Sequence, residues 1–342
     1  MSAHPWSTQC FVVPSLSGPI SGGTLYNREL CRALEQLGAP TSVAEITQPR
    51  LLTALAEVDW VWVDSLYLAA VPDLVRASPG RVGLLAHYLP SFVRCGRAAR
   101  PLELSGEERD ALSCANAFLV TSAFMREALA ALVGSSKPTL VAYPGSHARL
   151  SPEPPNPSPG LRALMIGNVV PGKGLEALLR ALAKQLQAAD SFELWVVGSL
   201  TFDAAYAGRC QRLIAESPML VDRVKLLGAC SPEHTLRLLA EAELLISASC
   251  MESFGMALAE ARIVGTPILA CAGGNAAAHV SVEAGGQLVD TPEALAAAGI
   301  ELARAPGRVR QRVGQARSHA SPARTWAETA RRLLDQLACL ER

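Results

Sequence analysis

The sequence has no run approaching ~20 uninterrupted apolar residues, the length a helix needs to cross a bilayer. Its first residues, MSAHPWSTQCFVVPS, lack the basic patch and long apolar segment of a secretory signal. The expectation is a cytoplasmic protein without a transmembrane segment, with peripheral membrane contact as its closest approach to lipid. Charge of one sign is missing too: 31 Lys and Arg balance 31 Asp and Glu, so no nucleic-acid partner is expected. The nine cysteines include no C-x-x-C pair. Cys10, Cys31, Cys114 and Cys271 sit inside apolar runs and read as small buried hydrophobes in a reducing compartment, not as a disulfide or zinc framework. No internal repeat is visible at the residue level.

What is present is a well-buried globular chain. Its 342 residues, 50% hydrophobic and 18% charged, exceed what one core usually serves, so two domains are expected. Strand-length apolar runs at Gln9–Leu16, Thr41–Ile46, Asp59–Leu66, Arg81–Tyr88, Ala117–Thr121 and Thr139–Tyr143 alternate with helix-like segments. That pattern predicts an α/β fold with a parallel sheet, whose ligands gather at the carboxyl ends of the strands. The proline-rich stretch Ser151 to Gly160 blocks helix and sheet and marks a boundary. The expected organisation is a first domain over 1–148, a linker over 149–160, and a second domain over 161–324. There the alternation resumes with Arg162–Val169, Phe192–Gly198 and Arg223–Gly228.

The first glycine-rich segment, Ser17 to Gly23, precedes a helical pattern from Thr24 to Leu37. It lacks G-x-G-x-x-G, and no acidic residue closes a short second strand, so a nicotinamide site is poorly supported. Asp64 closes WVWVD and His87 closes VGLLAH. Each could be a site residue; Asp64 could equally cap the next helix, and a lone histidine is often structural. Leu89 to Leu104 reads as a long loop carrying Arg94, Arg97 and Arg100, suited either to an anionic acceptor or lipid headgroup or to plain solvation. Ser105 and Glu108 have capping-box spacing.

The most informative stretch runs from Ala242 to Gly274. AELLISAS is a strand, Cys250 to Ser253 a turn, and Phe254 to Val264 a helix stopped by Gly265. A helix starting at Ser253 or Phe254 aims free N–H groups and its positive dipole end beyond the strand, where phosphate fits. Glu252 stands at that mouth, and Glu260 lies roughly 12 Å further along at ~1.5 Å per residue. Two acceptors so separated suit a nucleotide diphosphate sugar, and they exceed the ~5–9.5 Å between paired hydrolytic carboxylates of a glycosidase. The plainer reading makes Ser253 a helix cap, Glu252 a dipole partner and Glu260 a solvated residue. Lys173, in Pro171-Gly172-Lys173-Gly174 before the helix Leu175–Leu186, is likewise either a phosphate ligand or a solvated lysine.

ESFGMALAEARIVGTPILACAGG resembles the donor-binding signature of family 4 retaining glycosyltransferases, E-(S/G)-F-G-x4-E-A-x-A-x-G-x-P-V-(I/V)-A followed by G-G. Glu252, Phe254, Gly255, Glu260, Ala261, Gly265, Pro267 and the pair Gly273-Gly274 fall in register. GGTLYNRELCRALEQLG resembles the Gly-Gly loop and helix of the same family, and Pro171 to Gly174 resembles its phosphate loop. The resemblance implies a GT-B fold: two Rossmann-like domains with parallel sheets facing each other across a cleft, and a C-terminal helix, about 325–342, crossing back to the first. It implies a retaining, metal-independent hexosyltransferase that needs no cofactor beyond its nucleotide-sugar donor, with a UDP-sugar favoured and a GDP-sugar possible. The acceptor is a small molecule, a glycan or a lipid-linked sugar.

On that resemblance His87, Lys173 and Glu252 are the catalytic candidates, with Lys173 on the diphosphate, Glu252 on the sugar hydroxyls and His87 facing the sugar. Gly22, Gly23, Asn168, Lys173, Phe254, Gly255, Met256 and Glu260 are the donor-binding candidates, with Glu260 on the ribose. Asp64, Arg94, Arg97 and Arg100 belong to the acceptor side, and Gly228 to Cys230 to the nucleobase. Two departures stand out: Asn168 where many members have arginine, and Asn275-Ala276-Ala277-Ala278-His279 after the glycine pair, where a glutamate is common. Two other classes remain open, a non-catalytic nucleotide-sugar-binding relative or partner subunit, and another GT-B enzyme such as a nucleotide-sugar epimerase.

Overall fold

The computed structural model describes residues 6–18, 20–46, 55–134, 137–151, 153–158 and 160–342. The first five residues of the N-terminal segment, Pro19 of the glycine-rich segment, and Pro152 and Pro159 of the linker lie outside these residues. The chain divides into two compact units, Met1–Ser146 with Arg324–Arg342, and His147–Ala323.

The first unit carries β1 (Gln9–Val12), β2 (Thr41–Ala44), β3 (Trp60–Asp64), β4 (Arg81–Ala86), β5 (Ala117–Val120) and β6 (Thr139–Val141). They form a six-stranded sheet in the order β2-β1-β3-β4-β5-β6, parallel throughout. The central strands β1, β3 and β5 are buried along their whole length, as expected where helices cover both faces of a parallel sheet. The C-terminal helix Trp326–Leu340 packs on the helix Gly22–Gln36 of this unit, with Trp326 edge-on to Tyr26 at 5.6 Å. Gln336 donates to and accepts from Val141 on the edge strand β6, occupying backbone groups that would otherwise face outward.

Two local expectations are corrected here. Gly22 and Gly23 do not form a loop: Ser21 caps the helix through a capping box with Thr24, so the glycines are its first turn. Leu89 to Leu104 is not a structureless loop either. It contains the helix Pro90–Cys95, closed by Gly96, and a 3-10 turn at Pro101–Glu103. The Ser105–Glu108 box is present, with Glu108 fully buried and accepting from the N–H groups of Ser105 and Ser91, 2.7 Å each.

The second unit carries β7 (Leu161–Ile166), β8 (Phe192–Val197), β9 (Val224–Gly228), β10 (Leu244–Ser247), β11 (Ile268–Cys271) and β12 (Gln287–Val289), in the parallel order β12-β11-β10-β7-β8-β9. Alternation along the strands feeds two cores. Ala163, Leu244, Ile246 and Leu269 point into one, while Leu164, Leu245, Ile268 and Ala270 point into the other. Both faces are therefore sealed, and polar chemistry is confined to the strand ends. Among the described residues no helix is long and apolar enough to cross a membrane.

Candidate functional site

At the carboxyl end of the second sheet, the segments following three adjacent strands, β7, β10 and β11, are tied together. After β7 the chain turns through Pro171–Lys173 into Gly174, whose φ of +71° suits glycine and which caps the helix Leu175–Gln185. Cys250, after β10, donates its N–H to Gly172 O at 3.1 Å. Glu252 bridges in parallel to Gly274 after β11, and its carbonyl accepts from Asn275 N–H at 2.7 Å.

This knitting brings Lys173 and Glu252 together, Nζ to Oε1 at 2.7 Å. The aliphatic stem of Lys173 runs over Gly167, where an added Cβ would lie 3.2 Å from Cδ. Burial pushes the Glu252 carboxyl up, but the Lys173 ammonium and hydrogen bonds from Lys173 and Ser249 outweigh it and hold the group below its ordinary value. Glu252 is thus a carboxylate at neutral pH, neutralised by one lysine.

The helix after β10 spans Met256–Val264 and is capped by Gly255 at φ +89°. The sequence placed its start two or three residues earlier, with Ser253 as an alternative cap; the left-handed glycine takes that role. Three other helices of this unit have side-chain caps, from Asp203, Ser231 and Thr291; this one, like the helix Leu175–Gln185, has none. The N–H groups of Gly255, Met256 and Ala257 donate to nothing among the described residues, although Gly255 is buried. Glu260, one turn further along, is half-buried and makes no hydrogen bond or ion pair among the described residues. Burial pushes its carboxyl up to about 7, so it is neither a salt-bridge partner nor an ordinary solvated carboxylate.

The segment after the glycine pair proves to be structural support for this helix start. Asn275 Nδ2 donates to Phe254 O at 2.8 Å, His279 Nε2 meets the same oxygen at 2.6 Å, and the His279 ring stands edge-on to Phe254 at 5.0 Å. Sequence reasoning noted the departure here without assigning it work, because the contact spans 25 residues and follows no local periodicity. Asn168 accepts Ser199 N–H on its side-chain oxygen at 2.9 Å, joining the turns after β7 and β8. Gly228 ends β9 with its carbonyl accepting Gly198 N–H at 2.9 Å.

In the first unit, a separate cluster forms at the ends of β3 and β4. Asn27, fully buried on the helix Gly22–Gln36, joins Asp64 and His87: its Nδ2 donates to Asp64 Oδ2 at 2.8 Å, and its Oδ1 lies 2.8 Å from His87 Nε2. An amide oxygen only accepts, so Nε2 carries the proton. Asp64 also caps the turn Ser65–Ala70 through Leu66 N–H, as the plainer reading allowed, and lies 3.5 Å from His87. Burial lowers the His87 pKa against the opposing charge of Asp64, so the ring is neutral at pH 7. Gly23 lies against that ring, where an added Cβ would be 3.5 Å from Cδ2. Asn27 escaped sequence reasoning, although it shares a helix face with Gly23 at i, i+4.

Arg94, Arg97 and Arg100 all converge on Glu103. Arg97 pairs with both carboxylate oxygens at 2.9 and 2.6 Å, Arg100 binds through backbone and side chain, and Arg94 donates to the Glu103 carbonyl. Among the described residues no group of three or more His, Cys, Asp or Glu is placed to hold a metal ion.

Residues 160–305 match the family described as glycosyl transferases group 1. D-inositol 3-phosphate glycosyltransferase of Segniliparus rotundus is 32% identical over 174 residues, 49% of this chain and 38% of that protein. The chain thus spans less than two thirds of that relative's length. Sucrose-phosphate synthase of Thermosynechococcus elongatus superposes with a TM-score of 0.77 at 20% identity, covering 98% of this chain and 99% of that one. HepE of Anabaena, solved with UDP-glucose, gives 0.76 at 18% identity over 97% of this chain and 100% of its own. The fold is that of these GT-B proteins.

Proposed function

From a second unit built on a group 1 glycosyl transferase domain, we propose that the chain is a retaining glycosyltransferase moving a sugar from a nucleotide diphosphate sugar to an acceptor hydroxyl. One observation carries this reading: three consecutive N–H groups without a partner among the described residues, at Gly255 to Ala257, open the helix that follows the Lys173–Glu252 pair. Such an array is complementary to a diphosphate. The UDP-glucose complex of HepE and the glycosyltransferase name of the Segniliparus relative support it, and UDP is the favoured nucleotide.

The bond from the anomeric carbon to the diphosphate oxygen breaks, the acceptor oxygen bonds to the same face of that carbon, and the acceptor proton passes to the departing diphosphate. Charge on the departing diphosphate is met by Lys173 and the N–H groups of Gly255 and Met256, with no resident metal assigned to the step. Glu252 holds the sugar hydroxyls, and Glu260 holds the ribose. A carboxyl with no partner among the described residues suits that second task, because donor hydroxyls can supply its hydrogen bonds. Phe254 and Asn168 flank the phosphate end, the Asn168 side-chain oxygen being held by Ser199 N–H. Gly22, Gly23 and His87 take the sugar-side roles that the family resemblance implies. The acceptor is a small molecule, a glycan or a lipid-linked sugar.

The test is a panel of UDP-, GDP- and ADP-sugars read by thermal stabilisation and slow donor hydrolysis, with Glu260→Ala as control. One donor should stabilise the wild type and not the variant. No response to any donor would favour a non-catalytic relative, and isomerisation of a donor without acceptor would favour an epimerase.

A further inference from the structure

We propose that His279, with Asn275, is a positioning residue that sets the direction of the Gly255 N–H toward the donor diphosphate; this rests on the donor-binding reading above. The carbonyl of Phe254 and the N–H of Gly255 belong to one planar trans peptide and point in opposite directions. Whatever fixes the oxygen therefore aims the hydrogen. Here the oxygen is held by two side-chain donors, Asn275 Nδ2 at 2.8 Å and His279 Nε2 at 2.6 Å. The hydrogen at the other end of that plane has no partner among the described residues, although Gly255 is buried.

Backbone torsion alone does not hold this peptide. Gly255 sits at φ +89° and ψ 58°, and a glycine has wide freedom to rotate away. The clamp supplies the missing restraint, and it does so from outside the helix. The His279 ring also closes over Gly255, where an added Cβ would lie 3.3 Å from its Cδ2.

His279 is suited to this duty in its neutral form. A carbonyl oxygen only accepts, so Nε2 must carry the proton, and Nδ1 is left as a buried nitrogen with no partner among the described residues. Burial lowers the pKa of the ring, and Arg262, which donates to Ala278 O, acts in the same direction. His279 therefore donates one hydrogen bond without adding charge beside the phosphates. The donor nitrogen, not the ring's bulk, is the working part.

The experiment measures UDP, GDP and ADP binding by calorimetry to the wild type, His279→Leu and His279→Gln, with thermal melts confirming that all are folded. Leucine keeps apolar volume and removes the donor, whereas glutamine returns an amide N–H near the Nε2 position. For the nucleotide the wild type binds, His279→Leu should weaken affinity by ~10-fold, the scale of one lost hydrogen bond, and His279→Gln should recover most of it. Asn275→Ala should give a similar loss. Equal affinity in wild type and His279→Leu overturns the proposal, as does a His279→Gln variant as weak as leucine, which would make the ring's packing the working part. Binding of none of the three by the wild type overturns the donor-site reading itself, and this inference with it.

Discussion

The clusters at the strand ends of the two units use similar residue types to opposite ends. In the first, Asn27, Asp64 and His87 turn on one another, and Asp64 also caps the turn Ser65–Ala70. In the second, the N–H groups at Gly255 to Ala257 and the carboxyl of Glu260 have no partner among the described residues. A satisfied buried network rigidifies its surroundings, whereas unpaired groups cost stability until a ligand fills them. The comparison separates residues that hold a shape from residues that wait for a molecule, and it predicts that mutations in the two places fail differently.

The largest effect is expected at Lys173. Lys173→Met should lower sugar transfer per folded molecule by ~10²–10³-fold, the scale of removing one preorganised charge-stabilising group. A large loss of stability with preserved transfer would reverse the assignment and make the Lys173–Glu252 pair a structural one.

The first-unit cluster should behave in the opposite way. Asp64→Ala removes the turn cap and leaves Asn27 Nδ2 buried without its acceptor, which should cost about 2–3 kcal/mol in denaturant unfolding. Donor binding should survive in the fraction that folds. A variant as stable as wild type would mean that the network is slack and that Asp64 is free for other work.

How far the sequence reveals this contrast depends on how local each signal is. Apolar runs alternating with helical spacing identify the α/β class because both periodicities are read within ten residues. The Ser105–Glu108 box was equally legible, being four residues wide. Lys173 and Glu252 could each be singled out by motif, yet their ion pair joins residues 79 apart and emerges only when β7 and β10 lie side by side. Asn27 was invisible for the same reason: it matters through Asp64 and His87, which the fold brings in. The glycine pair misled because glycine usually signals a loop, while here the capping box at Ser21 and Thr24 overrides that preference. His279 lay in the stretch that departs from the family pattern, where a motif offers no guidance.

A smaller effect, in pH, sharpens the comparison at Glu260. Its folded pKa of about 7 exceeds the ordinary glutamate value of ~4.3, so between these limits the folded state holds a proton that the unfolded state releases. Stability from this group is greatest at the acid end of the window and declines as pH rises through about 7. Replacing it by glutamine should remove that slope from the ligand-free protein, with urea midpoints at pH 5 and pH 8 as the measure. A bound donor should lessen the slope in the wild type. The same slope in Glu260→Gln would place its origin elsewhere.

The smallest structural effect is expected where Arg94, Arg97 and Arg100 gather around Glu103. Exposed ion pairs contribute little, and Arg97 and Arg100 are solvent-exposed partners of one carboxylate. Exchanging all three arginines for glutamine should leave the melting temperature close to that of wild type and leave donor affinity unchanged. Three positive charges against one negative still leave this surface cationic, so an anionic acceptor drawn to it would show a raised KM in the triple variant, more so at low salt. Unchanged acceptor kinetics would make Glu103 the organiser of a purely structural turn, and the first unit would then present no charged recognition surface at this point.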